Sequence, residues 1–370
     1  MKKSSCTNWV EVDLSSIRNN LKLIKKHTKT KFMAILKANA YGHGLSEIGN
    51  AVVEAGTDWI GVARIEEGIQ LRRSGICKPI LVLGYVQPEA IPQAIDHEIS
   101  VALFDLACAE EYHRQSIKLK NILKVHIKLD TGMGRLGVIP ESAQPFLKEV
   151  ISFSGLKIEG IFTHFARADE PHVPETNEQI IKFNHALSET KILSLNSVLI
   201  HASNSAGTLA YPEARYDMVR PGLALYGYSP DHSISLLDRM SPALKWKTRL
   251  TSIKKLPKGQ GISYGHEYFT TKEENIGVIA AGYADGFQRC QGNQVLIKGQ
   301  KVPVIGRVCM DQAMISLEKI SDPGIGDEVV LLGTQGNQEI SAQDLADLWD
   351  INQYNVLSTI SNRVERIYLD

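Results

Sequence analysis

An N-terminal (β/α)8 barrel followed by a mainly β domain is the fold class this sequence predicts, and three observations carry the prediction. Short apolar, β-rich runs alternate with segments of helical period as far as residue 220. Alternation of that kind builds a parallel sheet covered by helices, and about eight β/α units over roughly 230 residues is the pattern that closes such a sheet into a barrel. The alternation then stops between Pro230 and Pro242, and beyond it short strands follow one another with turn signals between them. The boundary falls at 237/238, with residues 1–237 as the barrel and residues 238–370 as the β domain. A doubly wound α/β sheet is the competing arrangement for the first part.

Taken in order, the chain opens on a strand-like run, Trp9-Val-Glu-Val12, after which Asp13 and Ser15 offer caps to a helix over residues 15–27. The first barrel strand is Phe32-Met-Ala-Ile-Leu-Lys37, an apolar run that ends on a lysine and then turns through Gly42 and Gly44. Further strands are predicted at 59–63, 80–83, 99–103, 123–129, 158–162, 198–201 and 217–220. Helical period marks 46–55, 65–73, 90–96, 106–113, 140–153 and 178–191 between them. The second part reads as strands at 246–253, 274–281, 294–297, 301–305, 313–317 and 327–332, with one helix over 341–348 capped by Ser341.

Charge and composition narrow the function. Lys+Arg and Asp+Glu each number 41 in 370 residues, and the net charge is zero. Nucleic acid or an acidic membrane surface would ask for a basic excess, so a small-molecule substrate fits better. Cys6, Cys77, Cys108, Cys290 and Cys309 are scattered without a C-x-x-C pair, which suits reduced thiols in the cytoplasm. The N-terminus lacks the apolar core of a secretory signal, and no apolar run approaches the ~20 residues of a membrane span. The expected setting is cytoplasmic, either alone or as the cytoplasmic catalytic portion of a longer membrane-anchored protein.

Chemistry is expected where a barrel keeps it, on loops at the C-terminal ends of the strands. Lys37, Arg135, His164, Ser205, Arg220 and Gly222 all fall at or just beyond predicted strand ends. A lysine closing an apolar strand is desolvated, which lowers its pKa and frees a nucleophilic amine. Arg135 follows a glycine turn in Lys128-Leu-Asp-Thr-Gly-Met-Gly-Arg135 and suits an anionic oxygen. Asn204 and Ser205 open a predicted helix, a setting for phosphate, and Arg220 precedes an approachable backbone at Gly222. Each has a plainer alternative: a core histidine for His164, ion pairs for the arginines, an N-cap for Ser205. No H-E-x-x-H or paired-cysteine metal spacing, G-x-S-x-G elbow or P-loop is present. Reactive lysine, phosphate cradle and arginines together suggest pyridoxal 5'-phosphate held as a Schiff base.

The lysine stretch resembles the cofactor signature of the alanine racemase family. The resemblance continues through Asp130-Thr-Gly-Met-Gly-Arg135, Thr163-His-Phe-Ala166, Asn204-Ser-Ala206, Val219-Arg-Pro-Gly222, Ser263-Tyr-Gly265, Gly282-Tyr-Ala-Asp-Gly286 and Gly306-Arg-Val-Cys-Met-Asp311. It implies a head-to-tail homodimer with shared active sites, making D-amino acids for peptidoglycan precursors. By this resemblance Lys37 binds the cofactor and acts as acid/base on one face of the substrate Cα, while Tyr264 of the partner subunit acts on the other. A free phenol ionises near 10, so His164 and Arg220 are the implied tuning pair, with Arg220 facing the pyridine nitrogen. Arg135 and the partner's Met310 would take the substrate carboxylate. Lys128 matches a position carbamylated in several members. Tyr41, Asn204, Ser205, Gly222 and Leu223 match the phosphate cradle, and Tyr283 and Asp169 the entrance.

One departure bears on the substrate. Many members carry a tyrosine just before the arginine of a C-terminal R-V-P-R, narrowing the pocket; here the run is Ser361-Asn362-Arg363-Val-Glu365. The smaller, polar Asn362 resembles the serine-racemising branch associated with vancomycin resistance and predicts L/D-serine beside L/D-alanine as substrate. Two alternatives stand beside that reading: a strict alanine racemase in which Asn362 is incidental, and a basic amino-acid decarboxylase using Cys309 and Asp311. A non-catalytic pyridoxal phosphate-binding protein fits worse, because such proteins are generally single barrels.

Overall fold

The structure, a computed structural model, describes residues 5–190 and 198–370. The chain divides into two compact units, one of Ser16–Ala40 with Leu45–Pro242 and the other of Met1–Ser15, Tyr41–Gly44 and Ala243–Asp370. The strand β1 (Asn8–Asp13) thus belongs to the second unit.

The first unit holds eight parallel strands: β2 (Lys31–Ile35), β3 (Trp59–Val62), β4 (Ile80–Val82), β5 (Ile99–Leu103), β6 (Leu123–Lys128), β7 (Leu156–Phe162), β8 (Leu199–His201) and β9 (Met218–Val219). Their order is β8-β7-β6-β5-β4-β3-β2-β9. The open ends join through Asp217 N–H to Ile200 O (3.0 Å) and Arg220 N–H to Ser203 O (2.9 Å), which closes the barrel. Every residue of β3, β4 and β5 is buried, as a sheet covered on its outer face and packed within requires. The helix Leu14–Thr28 turns Ile17, Leu21 and Ile24 to the core at helical spacing.

All eight predicted barrel strands are present, and the helix Ile65–Arg73 has its predicted bounds. The helix predicted at 106–113 runs to Lys118, because Tyr112 and Ser116 continue its buried stripe. Pro140 starts a 3₁₀ turn, Pro140–Ser142, before the helix Ala143–Ser152. The helix predicted at 178–191 spans Glu175–Glu189; its predicted end, Lys191, lies outside the described residues.

In the second unit nine strands form one sheet: β1, then β10 (Leu244–Leu256), β13 (Glu274–Ile279), β14 (Gln294–Ile297), β15 (Gln300–Ile305), β16 (Ala313–Ser316), β17 (Glu328–Gln335), β18 (Gln338–Ile340) and β19 (Glu365–Leu369). A small hairpin, β11 (Gly261–Ile262) with β12 (Tyr268–Phe269), stands apart. β1 runs antiparallel to β10 with Val10 opposite Trp246, and parallel to β19 with Val10 opposite Arg366. The contiguous split at 237/238 leaves that strand with the barrel, since alternation identifies a strand without naming its partner. Ser341 caps Ala342–Trp349 as predicted, accepting from Asp344 N–H while Asp344 accepts from Ser341 N–H. β18, β19, the hairpin and the helix Gln353–Ser358 were not predicted; each is too short for periodicity to register.

Candidate active site

Lys37 follows β2 and begins a turn of unusual conformation. Ala38, Asn39, Ala40 and Tyr41 have φ of 54°, 54°, 54° and 52°, one turn of left-handed helix. For L-residues this costs about 1–2 kcal/mol per residue, so surrounding bonds must hold it. Asn39 Oδ1 accepts from Leu45 N–H at 2.8 Å, and Glu67 Oε1 accepts from Ala38 N–H at 2.7 Å. Glu67 also caps its own helix, taking Ala63 and Arg64 N–H on Oε2. The Lys37 amine is held below the ordinary lysine value, by burial first and then by Arg135, against the smaller opposing pull of Glu67.

Arg135 sits on the loop after β6, shaped by one carboxylate. Asp130 Oδ1 accepts from Gly132, Met133 and Gly134 N–H at 3.0, 2.8 and 3.1 Å, and Oδ2 accepts from Arg135 N–H at 3.1 Å. Burial pushes the Asp130 carboxyl up, but these four donors outweigh it and leave it lowered. Gly137 admits the close pass: a Cβ there would lie 2.4 Å from Asp130 N. Lys128, at the end of β6, is buried, and burial followed by Arg135 and Arg220 pulls its amine down to about 8. Its Nζ lies 5.6 Å from the Phe162 ring, which Arg220 also faces at 5.3 Å.

Arg220 is 3% exposed and follows β9. One terminal nitrogen donates to Thr163 O and Ala202 O, both at 2.8 Å, with His164 Nδ1 at 3.3 Å from it. The other donates to His201 Nδ1 at 3.0 Å. No carboxylate bonds it among the described residues, so the plain ion-pair alternative does not hold for this arginine. Burial lowers its pKa to about 9, which leaves it a cation at neutral pH. Burial and then Arg220 hold the His164 imidazole well below its ordinary range, so it is neutral. Gln179, on the helix Glu175–Glu189, ties this region together by accepting from Ala166 N–H and donating to His164 O and Thr131 Oγ1.

The N-cap of the helix Ser205–Ala210 is Asn204, whose Oδ1 accepts from Gly207 N–H at 2.9 Å, and not Ser205. Ser205 Oγ instead accepts from Gly222 N–H (3.0 Å) and Ala224 N–H (3.1 Å). With both lone pairs engaged, its hydroxyl can only donate its proton onward. Leu223 begins the 3₁₀ turn Leu223–Tyr226 that carries this backbone. Asp169 is exposed on the loop between β7 and the helix Glu175–Glu189, its carboxyl raised by partial burial.

The other predicted residues belong to the second unit. Tyr264 is 68% exposed in the turn Tyr264–His266, and Met310 is 53% exposed; with Ser263, Cys309 and Asp311 they line an open concavity of about 760 Å³. Tyr283 N–H donates to Cys309 O (3.0 Å) and Ala284 N–H to Met310 O (3.0 Å), bracing the Met310 loop. Arg363 pairs with Asp285 (2.7 Å) and Asp311 (2.5 Å), so Asp311 is engaged in a structural bridge. Asn362 is exposed. Tyr41 is buried and packs against Tyr354, ring centroids 5.8 Å apart. Burial and then Tyr354 raise the Tyr41 phenol, so it stays protonated. Sequence reasoning passed over Glu67, Gln179 and Tyr354; only Glu67 carried a signal, its place as an acidic third residue of a helix, where a carboxylate can accept the N-terminal N–H groups.

Residues 12–230 match the family described as alanine racemase, N-terminal domain, and residues 243–368 match alanine racemase, C-terminal domain. The chain belongs to the alanine racemase family. An alanine racemase of Symbiobacterium thermophilum is 44% identical over 363 residues, covering 97% of this chain and 96% of that protein. Among solved structures, an alanine racemase of Clostridium difficile matches at 38% identity and a TM-score of 0.93, over 99% of this chain and 97% of its own. The alanine racemase of Bacillus anthracis with bound L-Ala-P matches at 38% identity and 0.92, over 100% and 96%. The family uses pyridoxal phosphate, and the fold, barrel then β domain, is that of the alanine racemases. Among the described residues no helix is long and apolar enough to cross a membrane, and no group of metal-ligating side chains occurs.

Proposed function

We propose that this alanine racemase family member is a pyridoxal phosphate-dependent racemase of alanine, with Lys37 and Tyr264 exchanging the α-proton from opposite faces. The observation that carries the reading is Lys37, a desolvated amine ending a barrel strand in a chain so similar to alanine racemases. Bound pyridoxal phosphate supplies an electron sink that makes the Cα–H of an attached amino acid acidic. The surrounding residues suit that group. Ser205 has a proton to donate to a phosphate oxygen, and the Tyr41 phenol keeps its proton. The buried cation Arg220, with no carboxylate of its own among the described residues, suits an unprotonated ring nitrogen.

Lys37, its proton affinity lowered by desolvation and by Arg135, holds the cofactor and moves a proton at Cα on one face. Tyr264 and Met310, exposed on one copy, act in the site of a second copy in a head-to-tail homodimer, with neutral His164 next to the Tyr264 phenol. Arg135 orients the substrate carboxylate, assisted by the Met310 amide. Lys128, with an amine pulled down to about 8, first gives up its ammonium proton; the neutral amine then takes up carbon dioxide as a carbamate and releases a second proton, and the new negative charge relieves repulsion from Arg135. Asp169 and Tyr283 flank substrate entry. The D-alanine formed is a building block for peptidoglycan precursors.

Serine finds less support than alanine. The expectation rested on an asparagine replacing a pocket tyrosine, whereas the relatives this chain matches are alanine racemases, and a tyrosine, Tyr354, stands against the phosphate-cradle candidate Tyr41. On that contact Tyr354 is a candidate for a narrowing ring. The decarboxylase alternative loses Asp311 to its bridge with Arg363.

The test is purified, cofactor-loaded protein given L-alanine and L-serine separately, with D-product and carbon dioxide measured. D-alanine without carbon dioxide is expected; carbon dioxide without D-product overturns the racemase reading. Asn362→Tyr should leave the alanine-to-serine ratio unchanged, whereas Tyr354→Ala should raise the serine share. The reverse pattern restores Asn362 as the specificity residue.

A further inference from the structure

Arg220 ends a chain of buried groups that the racemase reading leaves unused. His201, at the end of β8, and His126, within β6, are both wholly buried. Arg220 lies 3.0 Å from His201 Nδ1, and His201 Nε2 lies 2.9 Å from His126 Nδ1. The His201 ring stacks on Phe162 at 4.9 Å and 4°, and Trp59 meets His126 edge-on at 5.0 Å.

Elementary donor rules fix every proton in this chain. A guanidinium only donates, so His201 Nδ1 must be its lone-pair nitrogen and the His201 proton sits on Nε2. That proton faces His126 Nδ1, which must accept it, and the His126 proton is left on its own Nε2. The Nε2 position has no hydrogen-bond partner among the described residues. Were His201 to take the opposite tautomer, two N–H groups would face each other and a buried arginine would lose an acceptor, costing about 1–3 kcal/mol. Burial holds both imidazoles neutral, His126 down to about 3 and His201 well below its usual range, with Arg220 acting in the same direction.

The backbone is shaped to admit the His126 ring. Opposite it on β7 is Gly160, where a Cβ would lie 2.3 Å from His126 Nδ1 and 2.6 Å from Cε1. The β6–β7 register shifts between Val125 and His126. Two local departures from regular pairing, a missing side chain and a shift, therefore meet at one ring whose only hydrogen bond among the described residues is to His201.

We propose that His126 is a positioning residue for Arg220: by accepting the Nε2 proton of His201 it selects the tautomer in which His201 receives the guanidinium. It touches no reacting atom and acts through the arginine. The proposal rests on the reading in which Arg220 faces the cofactor ring, because only then does the arginine's placement reach the chemistry.

The first measurement needs no variant. Nitrogen-15 NMR of histidine-labelled, cofactor-loaded protein should find His126 and His201 neutral and protonated on Nε2 from about pH 6 to about pH 9, on both sides of the ordinary histidine value. A cationic His201, or one protonated on Nδ1, overturns the proposal. Two variants extend the test, His126→Leu without an acceptor and His126→Asn with an amide oxygen in its place. The leucine variant should lower kcat roughly 10- to 100-fold with KM for alanine little changed, and should shift the absorption maximum of the bound cofactor. The asparagine variant should restore most of both. Equal behaviour of the two variants in kcat and spectrum refutes the acceptor role. A wild-type protein that makes no D-alanine sinks the racemase reading alone, since the tautomers are read independently of turnover.

Discussion

The groups proposed for catalysis fall into two kinds of environment. In the barrel unit Lys128 and Arg220 are buried and His164 is half-buried, and desolvation is the first cause of every shift that these three and the more exposed Lys37 show. In the C-terminal unit Tyr264, Met310 and Tyr283 are 68%, 53% and 44% exposed, on turns braced by backbone bonds. The barrel therefore prepares proton affinities within its own core. The C-terminal unit prepares only position, and the tuning its phenol needs has to come from charged and polar groups outside it.

The sharpest way to break this comparison is to remove one group of each kind. Lys37→Ala should abolish both the cofactor's bound absorption band and racemisation, a loss of at least about 10⁴-fold, because anchor and base go together. Tyr264→Phe should keep the band and lose about 10²–10⁴-fold in kcat. Equal loss of the band in both variants would place Tyr264 in cofactor binding and erase the distinction.

Smaller effects sharpen it. Gly160→Ala pushes a methyl against His126 and Leu199 O, and should cost about 1–3 kcal/mol in urea unfolding; an unchanged midpoint would mean that the ring moves freely. Glu67→Gln keeps a hydrogen-bond acceptor for Ala38 and removes a charge, so it should destabilise by about 1 kcal/mol and lower the pKa of the free Lys37 amine further, read from the pH dependence of the rate at which cofactor-free protein takes up pyridoxal phosphate.

The smallest is a slope. His126, His164 and His201 are held neutral when folded, so the unfolded chain binds more protons between about 6.5 and the depressed folded values. Their stabilising contribution is present above pH about 6.5 and is lost as pH falls through that window, at up to about 1.4 kcal/mol per pH unit for each histidine. The midpoint of chemical unfolding followed from pH 7 downward checks the sign; a midpoint that rises on acidification contradicts it.

What was legible in the sequence was what lies on one contiguous stretch. Lys37 at a strand end, the Asp130–Arg135 loop and the eight β/α repeats are local patterns, and they survive in the structure. Side chains that matter through a distant partner left no local mark. His126 reads as one more residue of an apolar strand, Tyr354 as one tyrosine of 12, and β1 as a strand without an address. Asn362 is a position compared by its distance from an arginine in sequence, whereas the ring that packs near Tyr41 comes from an earlier helix.

The bonding of Arg220 has a consequence for proton traffic. A proton wire needs every member to accept as well as donate, and a guanidinium donates in each of its bonds here, to two carbonyls and two imidazoles. Arg220 is thus an insulator set between His164 on one flank and His201 on the other. A proton that reaches His164 has no exit through the buried histidines, and the exchange at Cα stays confined to the groups that face the substrate.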